Sequence, residues 1–135
     1  MSQENLDPSY SGEGIYRENI LDHYKNPHNQ GLIENADVKF TENNPICGDV
    51  ISINLKINDN KIEDIKFVGQ GCAISQSAMS MLTNELKVKT LEEVKNFKTE
   101  DVINMLGIES GIVRTKCAVL GLVAVKNGIK EFENK

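Results

Sequence analysis

The sequence lacks a long hydrophobic run, a secretory leader pattern and an excess of basic residues, and each absence argues against a class of protein. No stretch approaches the roughly 18 consecutive apolar residues of a transmembrane helix, so we expect no membrane association. No basic segment followed by an apolar one opens the chain, which argues against secretion and favours the cytoplasm. The net charge is −5, whereas a nucleic-acid-binding protein needs a basic patch to neutralise phosphates.

Cysteine is also scarce, with only Cys47, Cys72 and Cys117 present. An odd number cannot pair completely within one chain, and cytosolic thiols are mostly reduced, so we expect no disulfide framework. No C-x-x-C pair occurs, and no nucleophile has an adjacent general base, so we do not expect an enzyme in its own right. Buried inert thiols, a catalytic thiol and metal ligands remain open as interpretations.

The length and composition predict one soluble globular domain. The chain has 135 residues, of which 39% are hydrophobic and 26% charged. Prolines, glycines and polar residues in the first segment predict a flexible N-terminal tail over residues 1–14, followed by a single domain over residues 15–135. Apolar residues recur at helical spacing from Ile15 to Tyr24, and Asn26-Pro27 ends that predicted helix.

The middle of the chain has the pattern of a small antiparallel sheet. Apolar and polar residues alternate without a break over Ile51–Asn58, which is typical of a half-buried strand. Asp59-Asn60 supplies a turn, and Ile62–Val68 is the predicted returning strand. Its alternation slips at Glu63-Asp64, which predicts a bulge there. A short strand is also predicted over Val38–Glu42.

The second half has a helical pattern. We predict one helix over residues 73–88, a second that opens at the Thr90 capping box, and a third from Thr99 that ends at Gly107. A last helix follows from about Val113 to Phe132. The order of a helix, a small sheet and further helices predicts an α+β domain.

The three cysteines lie at segment boundaries. Cys47 occurs in NPICGD, directly before the strongest strand, and Gly48 permits close approach to its sulfur. Asp49 lies two positions further on, and residues i and i+2 of an extended segment point to the same side. Cys47 and Asp49 can therefore reach one point together.

Cys72 and Cys117 precede or begin predicted helices. Free N–H groups and the partial positive charge of a helix N-terminus favour thiolate, and Arg114 and Lys116 add positive charge beside Cys117. We expect these thiols on solvent-facing loop tips that converge at one end of the domain. From the residues alone, a shared metal or thiol site and small buried thiols both remain open.

Four motifs then carry a family resemblance. DHYKNPHNQG, NPICGD, IEDIKFVGQGCAIS and RTKCAVL occur in an order that resembles the IscU/SufU/NifU N-terminal family of iron–sulfur scaffolds, from about Tyr16 to Phe132. The resemblance implies a three-stranded antiparallel sheet packed by about five helices. It implies a cluster or zinc site made by Cys47, Asp49, Cys72 and Cys117. It also implies a cysteine desulfurase as sulfur donor and apo-proteins as cluster acceptors.

The chain departs from that family pattern in three places. IscU-type members carry histidine at the position of Lys116. SufU-type members carry lysine there, as this chain does. The insertion that SufU-type members carry between the second and third cysteines has no room, because about 44 residues separate Cys72 from Cys117. The segment ESGIVRTK replaces the proline-rich chaperone-docking motif of IscU. The chain thus resembles SufU at the site and IscU in length.

These observations lead to a hypothesis with two rivals. In this hypothesis three thiolates and Asp49 hold a transient [2Fe–2S] cluster. Zinc suits the same ligands. Sulfur arrives as a persulfide on Cys117 or Cys47. The rivals are a zinc-bound persulfide relay that builds no cluster and a structural zinc module. We predict that His23 and His28 are not metal ligands. The sequence leaves the oligomeric state open, with a homo-oligomer as one possibility.

Overall fold

The computed structural model of the protein describes residues 18–45, 48–107 and 112–134, and for residues 112–115 the backbone only. The predicted tail, residues 1–14, lies outside these ranges. Within them the chain forms helix α1 (residues 18–25), strands β1 (Val38–Asn44), β2 (Asp49–Asn58) and β3 (Lys61–Gln70), and helices α2 (Ala73–Leu86), α3 (Leu91–Lys95), α4 (Thr99–Leu106) and α5 (Ile112–Glu133). The predicted α+β fold is confirmed.

The three strands form an antiparallel meander in the order β1-β2-β3. Asp59 and Asn60 both have positive φ, which matches the twist required of a two-residue hairpin turn. The predicted bulge is confirmed, because Lys56 pairs with Asp64 and Ile57 with Ile62, which leaves Glu63 without a register partner on β2.

One face of the sheet is covered by helices. The alternation in β2 places Ile51, Ile53 and Leu55 on this face, and each is fully buried. Helix α5 packs on β1 and β2, helix α2 packs on β3, and the two helices pack on each other. A Cβ at Gly121 of α5 would collide with the Met79 sulfur of α2, so any larger residue there would require the Met79 side chain to move.

Some boundaries differ from the sequence predictions. Strand β3 continues through Gly69 to Gln70, because Gly69 still pairs with Ile51 of β2. Helix α2 ends at Leu86, two residues early, since Val88 adopts a positive φ of 66° that no α-helix accepts. The Thr90 capping box of α3 and the end of α4 at Gly107 (φ 67°) are as predicted.

The packing directs three chain ends to the same edge of the domain. Asn44 of β1 pairs with Asp49 of β2, and Gln70 at the end of β3 pairs with Val50. Helix α5 crosses the start of β1 at Gly128, where a Cβ would lie 2.8 Å from Val38 Cγ1. Cys117 lies 11 residues before Gly128 in the same helix, so at 1.5 Å per residue it lies roughly 16 Å further along, toward the β1–β2 end of the sheet.

Candidate metal site

Three segments that are distant in sequence meet at this edge, and each contributes one candidate ligand. Asp49 is the first residue of β2, Cys72 caps the start of α2, and Cys117 lies in α5. One ligand atom from each, a carboxylate oxygen or a sulfur, lies within 4.8 Å of the other two. The structure therefore brings together three of the four ligands that the sequence predicted.

The fourth predicted ligand, Cys47, lies outside the described residues. The next residue, Gly48, has a φ of +73°, a left-handed conformation that favours glycine, and its N–H donates to the Asn44 carbonyl at 2.8 Å. Gly48 thus helps to close the turn that leads into Asp49. The assignment of Cys47 as a ligand remains a prediction.

Asp49 is a nearly fully buried carboxylate, with 2% of its surface exposed. It shares the face of β2 that carries Ile51, so its side chain points toward the helices. Oδ1 accepts a hydrogen bond from the backbone N–H of Cys72 at 3.1 Å, and Oδ2 lies 3.8 Å from the Cys72 sulfur. A buried carboxylate requires such partners, and here one of them belongs to a neighbouring candidate ligand.

Cys72 lies directly before helix α2, as the sequence predicted, and the structure shows that it is the N-cap residue of that helix. Its sulfur accepts a hydrogen bond from the Ser75 backbone N–H at 3.5 Å, in the position where serine or aspartate oxygens cap helices. The preceding Gly71 leaves room for this arrangement, because a Cβ there would lie 2.5 Å from Asp49 Oδ1. Cys72 itself is exposed.

Cys117 differs from its predicted setting in two respects. Helix α5 already includes Ile112, so Cys117 lies beyond the first turn and its four free N–H groups. The prediction that free N–H groups of a helix N-terminus lie beside the thiol is therefore right for Cys72 and wrong for Cys117. Cys117 is also only 4% exposed, so the prediction that the thiols lie on solvent-facing loop tips is wrong for Cys117. The Asp49 carboxylate likewise points into the domain.

Other residues singled out from the sequence lie around or away from this group. Lys116 is exposed, consistent with a solvated lysine. His23 and His28 lie against the middle of α2, where the Ser80 hydroxyl oxygen is 2.7 Å from His23 Nδ1 and accepts the His28 backbone N–H at 2.8 Å. Within the described residues, neither histidine is part of the candidate metal group.

Ser75 is the residue near the site that the sequence analysis missed. It is 2% exposed, and its N–H and hydroxyl both contact Cys72. The signal that identifies it is its spacing, since the N-cap residue bonds to the residue two or three positions later in the helix. Recognising Cys72 as the cap would have indicated Ser75.

The comparison with protein families agrees with this geometry. The model of the NifU-like N terminal domain matches residues 15–135. The chain therefore belongs to the NifU-like N-terminal domain family, which confirms the resemblance found in its motifs.

Within the part of the chain that the structure describes, no helix is long and apolar enough to cross a membrane.

Individual relatives cover nearly the whole chain. The iron–sulfur cluster assembly scaffold protein IscU 1 of Archaeoglobus fulgidus is 39% identical over 123 residues, which cover 90% of this chain and 78% of that protein. The zinc-dependent sulfurtransferase SufU of Bacillus subtilis is 35% identical, over 88% of this chain and 92% of the relative. A crystal structure of a candidate SUF-system scaffold from Fervidobacterium islandicum AW-1 has a TM-score of 0.73 at 30% identity, and covers 87% of this chain and 98% of that one.

Proposed function

We propose that this protein is a scaffold for the assembly of iron–sulfur clusters, with the cluster as its cargo. It receives sulfur from a cysteine desulfurase, assembles a labile [2Fe–2S] cluster on Cys47, Asp49, Cys72 and Cys117, and passes the cluster to apo-proteins. The single observation that carries the proposal is the convergence of the Asp49, Cys72 and Cys117 ligand atoms within 4.8 Å. The scaffold names of the relatives support the same role.

The spacing of these atoms suits a metal ion. Tetrahedral zinc with ligand distances of about 2.3 Å separates its sulfur ligands by about 3.8 Å. A sulfur and an oxygen ligand would lie about 3.6 Å apart, close to the 3.8 Å between the Cys72 sulfur and Asp49 Oδ2. The remaining separations, at most 4.8 Å, need a side-chain shift of about 1 Å or less. Three thiolates and a carboxylate would then complete four ligands.

The carboxylate explains how a scaffold could release its cargo. Thiolates are the usual ligands of iron–sulfur clusters, and Asp49 provides a harder oxygen in place of a fourth sulfur. Its Oδ1 is in addition engaged by the Cys72 N–H, which competes with a metal for the carboxylate. We therefore propose that Asp49 is the weak ligand from which transfer starts.

Sulfur delivery would proceed by persulfide exchange. The thiolate of Cys117 or Cys47 attacks the terminal sulfur of a desulfurase persulfide, a new S–S bond forms on the scaffold, and the donor's own cysteine leaves as thiolate. Cys117 is buried whereas Cys72 is exposed, so Cys72 is a third acceptor to be tested. Peptide mass spectrometry after incubation with desulfurase and cysteine identifies the acceptor, and label on Cys72 alone would overturn both proposed choices.

A second candidate function is a zinc-bound persulfide relay that builds no cluster. It is favoured by the 35% identity to a protein named as a zinc-dependent sulfurtransferase, and by the chemistry of the ligands, which are those that zinc accepts in proteins. In this alternative the protein acts as a sulfur-transfer partner of the desulfurase, and cluster assembly takes place elsewhere.

Anaerobic reconstitution with iron, cysteine and a desulfurase distinguishes the two functions. The scaffold proposal predicts the visible absorption of a [2Fe–2S] centre, followed by transfer to an apo-ferredoxin. Persulfide turnover without any chromophore would instead establish the relay. The Cys72→Ser variant serves as the control, since it should lose the chromophore while its fold, measured by circular dichroism, is retained.

A further inference from the structure

Ser75, the third residue of α2, contacts the Cys72 sulfur from the side of the helix. Its backbone N–H donates to the sulfur at 3.5 Å, and its hydroxyl donates to the Cys72 carbonyl at 3.1 Å. The Cys72 thiol can in turn donate to Ser75 Oγ at 3.8 Å. Ser75 is 2% exposed, so its hydroxyl is shielded from water on the Ser75 side of these contacts.

We propose that Ser75 is a positioning residue of the metal site, which holds the Cys72 sulfur and hydrogen-bonds it when metal is bound. This inference rests on the proposed function. In the protonated state the thiol donates to Ser75 Oγ or to Asp49 Oδ2, both at 3.8 Å. With a metal bound to the sulfur in place of that proton, which would leave to solvent, the Ser75 hydroxyl would be able to rotate from the Cys72 carbonyl and donate to the sulfur.

The two contacts of Ser75 fix the direction in which the sulfur can bind metal. The N–H and the hydroxyl occupy the side of the sulfur that faces α2, so its remaining lone pairs face Asp49 and Cys117. Hydrogen bonds from outside the ligand set orient metal ligands and tune the site, and their loss commonly costs about 10–100-fold in metal affinity. Hydrogen bonds to cluster sulfurs also adjust the reduction potential.

Because Ser75 is tightly packed, two substitutions can distinguish the hydrogen bonds of its hydroxyl from the space that its side chain fills. Gly71 lies so near that a Cβ there would be 2.6 Å from Ser75 Oγ. If Ser75 only filled space, Ser75→Ala would be tolerated better than Ser75→Thr, whose extra methyl group must fit. If the hydroxyl holds the Cys72 sulfur, the order is reversed, because threonine keeps the hydroxyl.

The test compares Ser75→Ala, Ser75→Thr and wild type, with Ser77→Ala as the matched control. Ser77 is a fully buried serine of the same helix whose hydroxyl bonds the Ile20 carbonyl, away from the site. Co²⁺ is the ion used, because its thiolate charge-transfer absorption reports directly on bound sulfur. Affinity is measured by competition with a chromophoric chelator, and circular dichroism reports folding.

We expect Ser75→Ala to bind Co²⁺ at least about tenfold more weakly and to shift the charge-transfer band to lower energy, since the sulfur lone pairs lose a hydrogen bond. Ser75→Thr should restore both values most of the way, and Ser77→Ala should match wild type. The inference is overturned if Ser75→Ala matches wild type in both readouts, or if it binds metal as well as Ser75→Thr. Failure of wild type to bind one Co²⁺ per chain through thiolate would instead refute the proposed function, and this inference with it.

Discussion

Asp49 Oδ1 accepts the backbone N–H of Cys72 at 3.1 Å, so one candidate ligand fixes the backbone of another. In a capping box the N–H of the N-cap residue donates to the side chain of the third helical residue. In α3, for example, the Thr90 N–H donates to the Glu93 carboxylate. In α2 the third residue is Ser75, whose hydroxyl donates to the Cys72 carbonyl. The carboxylate of a neighbouring strand therefore takes over the capping role, which couples the candidate metal site to the start of α2.

Replacement of Asp49 by alanine should lengthen the lifetime of a reconstituted cluster and slow its transfer to an apo-ferredoxin. The variant removes the ligand from which we propose that transfer starts, so the cluster keeps its thiolate ligands but loses its point of release. It also leaves the Cys72 N–H unpaired, which should lower the free energy of unfolding by about 1–3 kcal/mol. Decay of the visible absorption with time gives the lifetime. Asp64→Ala is the control, because Asp64 makes an exposed ion pair with Lys87 at 3.4 Å, away from the site. Faster cluster loss in Asp49→Ala than in this control contradicts the prediction.

Replacement of Gly71 by alanine should weaken metal binding while the fold persists. Its Cβ would lie 2.5 Å from Asp49 Oδ1 and 2.6 Å from Ser75 Oγ, so the carboxylate or the start of α2 must move. We expect metal affinity at least about tenfold lower, as for other changes that misplace ligands, and a loss of about 1–3 kcal/mol of stability.

Gly31→Ala is the matched control for Gly71→Ala. It imposes strain at a φ of +134°, but the nearest atom to the new Cβ is Lys66 Cδ at 3.8 Å, so the candidate metal site is not touched. Gly31→Ala should therefore lose stability and keep its metal affinity. Equal metal affinities of the two variants would show that Gly71 has no special role at the site.

The sequence allowed much of the fold and part of the site to be predicted. The unbroken alternation of β2 fixes which side chains face the core, and Asp59-Asn60 fixes the hairpin, because both signals are local. The burial of Cys117 could not be predicted, since it depends on how α5 lies across the sheet. The bond from the Cys72 N–H to Asp49 likewise depends on the register of β2 and β3, which no single segment determines.

Removal of metal by a chelator should leave the protein folded. The buried core consists of apolar side chains from the sheet and helices, such as Leu55, Phe67 and Leu82, and does not depend on the ligands. A metal present at 100 times its Kd contributes only ~2.7 kcal/mol, so we expect an unchanged far-ultraviolet spectrum and a lower, still cooperative thermal transition. Cys72→Ser should show no further fall in Tm on chelation. Loss of secondary structure on chelation would favour the structural zinc module.

Protonation of His23 should loosen α1 from α2. Burial, followed by the nearby His28, lowers the pKa of His23 below its ordinary value, and Asp22 opposes this only in part. The two imidazole rings are 4.5 Å apart, and Ser80 links both residues to α2. Helix α1 is also held by the Ser77 hydroxyl, which donates to the Ile20 carbonyl.

The sign of the pH dependence follows from that lowered pKa. The unfolded chain binds a proton at His23 more readily than the folded chain, so the stability contributed by neutral His23 is present above about pH 6.5 and is lost as the pH falls. Urea unfolding at pH 7.5 and 5.5 should show a smaller stability loss for His23→Gln than for wild type. His28→Gln should keep part of the pH dependence of stability, because burial, the larger cause of the lowered His23 pKa, remains in that variant. An unchanged pH dependence in His23→Gln would show that protonation of this histidine does not control the contact between α1 and α2.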